Sequence, residues 1–170
     1  SDSYPRCWGQ DDSLIVSTWD NKGLNALLKV ASSGGPLVPA FGGDSLRGMI
    51  RGDLTHVLEL PDGRSLLLSV NENIDGREKS RIFVQRDGQR EEIYSTAARS
   101  DIGEPVYSNS GHVLFPIVGS GLGAGVDIWA IPFDVPGLKT TGAPFLVAQN
   151  AGGISASDNG MISYLTRSSE

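Results

Sequence analysis

Apolar and polar positions alternate over short runs, and each run ends at a cluster of turn-forming residues. Four of these clusters are followed directly by an apolar run that is rich in β-forming residues. They are Gln10-Asp11-Asp12-Ser13, Pro61-Asp62-Gly63, Asn109-Ser110-Gly111 and Asp158-Asn159-Gly160. Their last residues are 50, 48 and 49 positions apart. Such regular spacing indicates an internal repeat rather than unrelated turns.

A second pair of strands is predicted within each repeat. Its turn is Ser32-Ser33-Gly34-Gly35 in the first repeat and Arg86-Asp87-Gly88-Gln89 in the second, and a longer loop through Thr141-Gly142 replaces it in the third. Gly-Gly and Asp-Gly between short alternating runs predict hairpins, because their turns need positive φ. Each unit is therefore predicted to be strand, turn, strand, loop, strand, turn, strand. Residues 26–30 are predicted to be a strand; the run 24–31 could also form one helical turn, but the hairpin signals on both sides outweigh this, and no helix is predicted.

A four-stranded unit of this length has the size of a β-propeller blade. We therefore predict an all-β chain that forms one partial propeller over residues 1–170, built from four-stranded antiparallel blades. The approximate blade bounds are 4–50, 53–100 and 102–150, with a partial fourth blade over 152–170. A β-sandwich is the alternative, but it gives no reason for a repeat. Three and a half blades cannot close a ring, so the missing blades are expected from a longer parent chain or from a second copy.

Composition narrows the classes of protein that fit. The chain has 170 residues, of which 22 are glycine, and a formal net charge of −6. The excess of acidic residues argues against nucleic-acid binding. No apolar stretch is long enough to span a bilayer, so this segment is not expected to contact a membrane. The sequence begins at Ser1 without a signal-peptide pattern, and we expect that it was cut from a longer protein.

Cysteine and histidine provide few candidates for catalysis. Cys7 is the single cysteine of the sequence, which excludes an internal disulfide, and it is expected to be a small buried or half-buried side chain. As a nucleophile it would need a histidine partner. His56 and His112 are the two histidines, and neither lies in a recognisable catalytic context. His112 follows a turn glycine and is expected to be exposed or hydrogen-bonded.

Three further sequence patterns have a competing structural interpretation. The glycine-rich run Gly119–Gly125 precedes a β-run, whereas a phosphate-binding loop must lead into a helix, so a hairpin loop is predicted. The oxygen-rich run Asn71–Gly76 lacks the closing glutamate of an EF-type calcium loop and is predicted to be a solvated loop. The acidic pairs Asp11-Asp12 and Glu91-Glu92 are expected on turns or an edge strand, facing water. The sequence therefore predicts no catalytic, cofactor-binding or metal-binding residues and no cofactor.

Aromatic residues and one proline give expectations about packing. The aromatic side chains in or beside predicted strands are expected to pack between blades, and some of them could line a ligand pocket at the propeller's top loops or central channel. They are Trp8, Trp19, Tyr107, Phe115 and Trp129. Pro116 cannot donate a ladder hydrogen bond and is expected at a bulge or a strand end. The first turn cluster lacks glycine, which leaves its turn type open.

Several motifs resemble a known family. Residues 60–68, Leu-Pro-Asp-Gly-Arg-Ser-Leu-Leu-Leu, resemble the turn between the first and second blade strands of TolB-like, WD-repeat-like propellers. The stretches 27–35, 128–134 with 141–144, and 154–160 are similar, in the same order, to propellers fused C-terminally to bacterial serine/threonine protein kinases. The resemblance extends from about Cys7 to Leu165. The glycine-rich run Gly119–Gly125 is an insertion that the family usually lacks at that length.

The resemblance implies a non-catalytic module for ligand sensing or protein interaction within a larger bacterial signalling protein, such as a serine/threonine protein kinase. No kinase motif occurs in the chain itself. The family's architecture implies an extracytoplasmic position behind a membrane helix. The resemblance identifies neither the ligand nor the protein partner. Similar propellers also accompany peptidases, so a propeller associated with a peptidase or another hydrolase is the alternative function.

Overall fold

The computed structural model describes residues 3–19, 24–40, 50–96, 100–119, 125–157 and 159–166. These residues form β-strands, turns and irregular segments, with no helix among them, and all strand pairs are antiparallel. The predicted all-β class and the predicted four-stranded antiparallel sheets are confirmed. The described part of the chain has no helix with the length and apolarity that crossing a membrane requires.

Two sheets form the first half of the chain. The strands of the first sheet are β1 (Ser3–Trp8), β2 (Ser13–Trp19), β3 (Leu24–Ala31), β4 (Val38–Pro39) and β5 (Ile50–Arg51). Their order is β1-β2-β3-β4, and β5 also pairs with β3. The strands of the second sheet are β6 (Asp53–Glu59), β7 (Leu66–Ile74), β8 (Arg77–Arg86) and β9 (Gln89–Ser95). Their order is β6-β7-β8-β9.

The second half of the chain repeats this plan and then begins it again. In the third sheet, two short strands take the place of the first strand, and both pair with the long second strand. Two further short strands pair with the long third strand. Its strands are β10 (Asp101–Ile102), β11 (Val106–Ser108), β12 (His112–Val118), β13 (Val126–Asp134), β14 (Lys139–Thr140) and β15 (Phe145–Ala148). The fourth sheet is a hairpin of β16 (Ala151–Ala156) and β17 (Ile162–Thr166).

The four turn clusters each join the first and second strands of a sheet. In three of them a glycine takes positive φ: Gly63 at 61°, Gly111 at 81° and Gly160 at 85°. In the first cluster, which has no glycine, Asp12 takes this conformation at 57°. Aspartate tolerates the left-handed region better than most residues with a side chain, so the same chain reversal is possible without glycine.

The oxygen-rich run Asn71–Gly76 is not a solvated loop, so that prediction is wrong. Strand β7 continues to Ile74 and β8 begins at Arg77, which leaves Asp75 and Gly76 as a two-residue turn. Both have positive φ, 53° and 76°. Positive φ at both central positions is the requirement of a type I′ hairpin, and Asp-Gly is one of its favoured pairs. The sequence therefore contains the Asp-Gly signal of this hairpin, between the predicted turns at residues 61–63 and 86–89.

We expect Gly76→Ala to lower the free energy of unfolding by about 1 kcal/mol, because a Cβ is disfavoured at positive φ. The matched control is Gly152→Ala, because neither glycine has an atom within 4 Å of an added Cβ and only Gly76 has positive φ. Urea denaturation followed by fluorescence measures both changes. Equal losses for the two variants would contradict the assignment of the cost to backbone conformation.

Pro116 lies within a strand, opposite the expected bulge. Ile102 pairs with Ile117 and Val106 pairs with Leu114, so residues 103–105 of the neighbouring segment face only residues 115–116. Pro116 belongs to β12 and pairs with Ile128 of β13 in regular register. Its carbonyl oxygen accepts a hydrogen bond from the Gly103 amide at 2.9 Å, on the side where β10 ends and β11 has not begun. Because the N–H and C=O of one strand residue point the same way, the missing donor faces this interruption. No bond to β13 is lost.

Two apolar clusters lie between consecutive sheets. The first joins the first and second sheets through side chains that include Ile15, Leu27 and Leu68. The second joins the second and third sheets, and includes Leu67, Val84 and Phe115. Because alternate residues of β7 enter different clusters, the second sheet is buried on both faces. The first three sheets are therefore stacked face to face.

The aromatic residues divide between this core and the surface. Phe115 is fully buried in the second cluster, and Tyr107 and Trp129 pack against it. These three agree with the expected packing between sheets. Trp8 does not, because its side chain is 64% exposed. The side chain of Trp19 lies outside the described residues, as do residues 120–124 of the glycine-rich run. The ends of that run are joined by a hydrogen bond from the Gly119 amide to the Gly125 carbonyl at 3.2 Å.

Candidate functional site

A cavity of about 660 Å³ lies where the first strands of the four sheets end. Each sheet contributes a segment from its first strand or from the turn that follows. The lining residues are Gln10 after β1, Leu58, Glu59 and Pro61 around the end of β6, Val106, Tyr107 and Asn109 at β11, and Ile154, Ser155, Ala156 and Ser157 at β16. Segments about 50 residues apart in sequence thus meet at one place. This volume lies within the roughly 300–1,000 Å³ typical of small-molecule sites.

Glu59 supplies the carboxylate of this cavity. It is the last residue of β6, and only 8% of it is exposed. The backbone N–H of Gln10 donates a hydrogen bond to Oε2 of Glu59 at 2.6 Å. A Cβ at position 9 would approach the same oxygen at 2.8 Å, so Gly9 gives the carboxylate room to contact the β1–β2 turn. The first and second sheets are thereby linked at the cavity wall.

The remaining lining is part polar and part apolar. Burial, together with the charge of Asp134, raises the pKa of Tyr107, so its phenol remains a neutral hydrogen-bonding group at neutral pH. The Ser157 hydroxyl donates a hydrogen bond to the Met161 carbonyl at 3.2 Å, which ties it to the following turn. Leu58, Val106 and Ile154 provide aliphatic surface. The wall can therefore bind a ligand through one carboxylate, a few polar groups and apolar contact.

A second, smaller cavity of about 370 Å³ includes much of the oxygen-rich run. Three of its polar side chains, those of Asn71, Glu72 and Ser80, have partners within the protein. The Ser80 hydroxyl donates to Oδ1 of Asn71 at 2.6 Å, and Arg81 forms an ion pair with Glu72 at 3.2 Å. Among the described residues, no group of three or more histidine, cysteine or acidic side chains has the arrangement to hold a metal ion. Such side-chain contacts between neighbouring strands are typical of the surface of a β-sheet.

Cysteine and the histidines lie apart from the larger cavity's lining. Cys7 is half-buried against the first apolar cluster, as expected. Burial raises the pKa of its thiol, which therefore stays protonated at neutral pH. Burial also lowers the pKa of His56, against the opposing charge of Glu104. Nδ1 of His112 lies 3.1 Å from the Ser110 carbonyl oxygen, so the expected hydrogen-bonded position is observed.

The two acidic pairs lie at the protein surface. Asp11 accepts a hydrogen bond from the Ser13 hydroxyl at 2.6 Å and pairs with Lys29 at 2.9 Å. These two contacts lower the pKa of Asp11 to about 2, with the Ser13 hydroxyl as the largest cause. Glu91 and Glu92 are exposed on β9, and Glu92 pairs with Arg81 at 3.2 Å. Both pairs face water, as predicted.

We expect the carboxyl group of Asp11 to titrate with a midpoint near 2 in the folded protein. Because this pKa is lowered from 3.8, the stability it contributes is complete above the ordinary value and is lost as pH falls through about 2. Ser13→Ala should raise the midpoint, since it removes the largest cause. Carboxyl carbon NMR during an acid titration measures it. An unchanged midpoint in Ser13→Ala would contradict this cause.

The Pro-Asp-Gly-Arg turn contains a second polar structure that sequence reasoning missed. Asp62 accepts hydrogen bonds from the amides of Arg64 and Ser65, at 3.1 and 2.9 Å, and from the Ser65 hydroxyl at 2.7 Å. It also pairs with Arg86 from β8. Burial would raise the pKa of Asp62, but these hydrogen bonds outweigh burial and lower it. Arg86 then reaches the third sheet, donating to the Val135 carbonyl at 2.7 Å.

Sequence reasoning also missed Glu59 and Gln10. Gln10 is the first residue of the first turn cluster, and Glu59 stands two positions before the second cluster, which begins at Pro61. Their position in the repeat was therefore the available signal. Comparisons with protein-family models, with curated proteins and with solved structures find no match to this chain.

Proposed function

We propose that the chain is a non-catalytic segment of a β-propeller that serves as a ligand-sensing or protein-interaction module. The observation that carries this proposal is the cavity of about 660 Å³ at the shared ends of the four first strands. In a propeller, blades surround a central channel, and the innermost strand of each blade faces that channel. A common cavity lined by the first strand of each sheet, or by the turn that follows it, is what this arrangement produces.

The stacking of the sheets supports the same architecture. Apolar clusters join the first sheet to the second and the second to the third, and the fourth sheet contacts strands of the third. Each sheet thus packs on the next one in chain order, as blades do. The resemblance of residues 128–134, 141–144 and 154–160 to kinase-associated propellers supports a place within a larger bacterial signalling protein.

The chemistry of the cavity favours binding over catalysis. Its described lining has one carboxylate, that of Glu59, and one neutral phenol, that of Tyr107. Acid–base hydrolysis by paired carboxylates would require a second such group. Nucleophilic hydrolysis would require an activated nucleophile with its base. The proposal of a non-catalytic role rests on these polar groups of the described lining.

The outer edge of the fourth sheet bears on how the propeller is completed. Within the described residues β17 pairs with β16, and its side chains include the exposed Tyr164 and Leu165. An exposed apolar edge strand is a site for further strand pairing. We propose that further blades cover it, supplied by a parent chain or by a second copy. Size measurement by light scattering over a range of concentrations separates a self-associating chain from a monomer.

A fragment screen by NMR tests the proposed function. We expect bound fragments to shift the backbone amide signals of residues 58–59, 106–107 and 154–157, without being converted. Peptide, ester and glycoside substrates incubated with the protein serve as the catalytic control. Turnover that is abolished by Glu59→Gln or Tyr107→Phe would contradict the non-catalytic role. Amide shifts confined to regions away from the cavity would contradict its use as the binding site.

A further inference from the structure

Glu59 is a buried carboxylate whose charge is not paired within the described part of the chain. Its residue is 8% exposed, and its hydrogen-bond donor is the Gln10 amide through Oε2. The ion pairs among the described residues do not include it. Burial of a charge is costly unless another charge or several hydrogen bonds compensate it. A cation in the cavity would supply the charge partner that the neutral Gln10 amide does not.

The same carboxylate lines the cavity of about 660 Å³. A cationic group placed there would contact a carboxylate that is itself mostly buried, and hydrogen bonds between two charged groups are stronger than those between neutral ones. Leu58, Val106 and Ile154 give the cavity aliphatic lining that an alkyl chain can contact. The net charge of −6 favours the approach of cations rather than anions.

We propose that this cavity binds a ligand that carries an alkylammonium or guanidinium group, with Glu59 as its counter-charge. This inference rests on the proposed function, because it names the ligand class of the same site. The aliphatic chain of the ligand contacts the apolar wall, and Tyr107 and Ser155 lie in the same lining to contact its polar part. A lysine or arginine side chain of a peptide and a free amine share this chemistry.

Neutral and charged probes of the same shape test the proposal. The peptide probes are N-acetylated, C-amidated Gly-Lys-Gly, Gly-Arg-Gly, Gly-norleucine-Gly and Gly-Glu-Gly, and the free probes are n-butylammonium and n-butylguanidinium. Amide shifts at residues 58–59, 106–107 and 154–157 give the dissociation constants. We expect the lysine and arginine peptides to bind at least about tenfold more tightly than the norleucine peptide, because their charge pairs with Glu59. Tighter binding of peptides than of free cations identifies a peptide source, and the reverse order identifies a free amine.

Glu59→Gln is the decisive variant, because it removes the charge and keeps an oxygen that accepts from the Gln10 amide. We expect it to remove the preference for the cationic probes. Glu91→Gln is the matched control, since Glu91 is exposed on β9 and outside the cavity lining. It should leave the preference unchanged. Glu59→Asp retains the charge and should retain part of the preference, and an amide spectrum of each variant verifies folding.

The outcomes separate this inference from the proposed function. Equal binding of the lysine and norleucine peptides, or a preference that survives in Glu59→Gln, overturns the cationic ligand and leaves the cavity as a binding site. Preferential binding of the Gly-Glu-Gly peptide at the cavity does the same. If no probe shifts the cavity amides, while neutral fragments in the earlier screen do, the cationic ligand is again overturned. Failure of both probe sets at the cavity overturns the proposed function as well.

Discussion

Phe115→Ala is expected to lower the free energy of unfolding by about 3–5 kcal/mol, as truncations of a large buried aromatic side chain do. Phe115 lies at the centre of β12 and is 0% exposed. Its ring lies 4.5 Å from that of Tyr94, measured between centroids, and thus joins the second and third sheets. Strand β12 is held by neighbouring strands on both sides, so the backbone cannot move in to fill the cavity.

Urea denaturation monitored by tryptophan fluorescence measures the effect of Phe115→Ala. The matched control is Phe145→Ala, because Phe145 is 46% exposed and lies on a short strand at the sheet edge. Its loss should remain under about 1 kcal/mol, as for most substitutions outside the core. Similar losses at the two positions would contradict the proposal that the contact between the second and third sheets is a main source of stability.

Arg86→Met is expected to cost about 2–3 kcal/mol, which is less than breaking a fully buried ion pair. The side chains of Arg86 and Asp62 are 19% and 23% exposed, so solvent screens the pair in part. The guanidinium also donates to the Ser65 hydroxyl at 2.7 Å and to the carbonyls of Val135 and Pro136 at 2.7 and 3.1 Å. Methionine retains the apolar stem but leaves these acceptors without their donor.

Arg64→Met is the control for Arg86→Met, since Arg64 comes from the same turn. Its ion pair with Asp87 measures 2.9 Å, but both side chains are 67% exposed. The expected loss is at most about 0.5 kcal/mol, because exposed pairs contribute little. Arg86→Lys should lie between the two, because a lysine cannot reproduce the planar fork of donors. Equal effects of Arg64→Met and Arg86→Met would refute the role of Arg86 in joining the sheets.

Acid unfolding provides a second measurement on Arg86→Met. The folded pKa of Asp62 is lowered from 3.8, so its contribution to stability is complete above that value and is lost as pH falls through the folded pKa. Removing Arg86 withdraws one of the contacts that lower this pKa. The variant should therefore lose less stability than the parent protein over this acidic range.

Local sequence determined the strands and most of the turns. Short alternating runs can bury one face of a strand, and Asp-Gly, Ser-Gly or Asn-Gly between them supplies the positive φ that a hairpin needs. Gly63, Gly111 and Gly160 adopt this conformation where the repeat predicts turns. The same rule extends to Asp75-Gly76, although its oxygen-rich neighbours are typical of a loop. The all-β class and the antiparallel sheets follow from such local chemistry.

Tertiary structure alone decided the features that depend on contacts between distant residues. Glu59 is a buried cavity residue because the first strand of its sheet ends beside Gln10, which is 49 residues away in sequence. Arg86 contacts Val135 across 49 residues, a pairing that no local pattern encodes. Pro116 is tolerated within a strand because the neighbouring strand is interrupted at Gly103. Periodicity specifies which residues form each sheet, whereas the stacking of sheets brings separate repeats together and so creates the cavity.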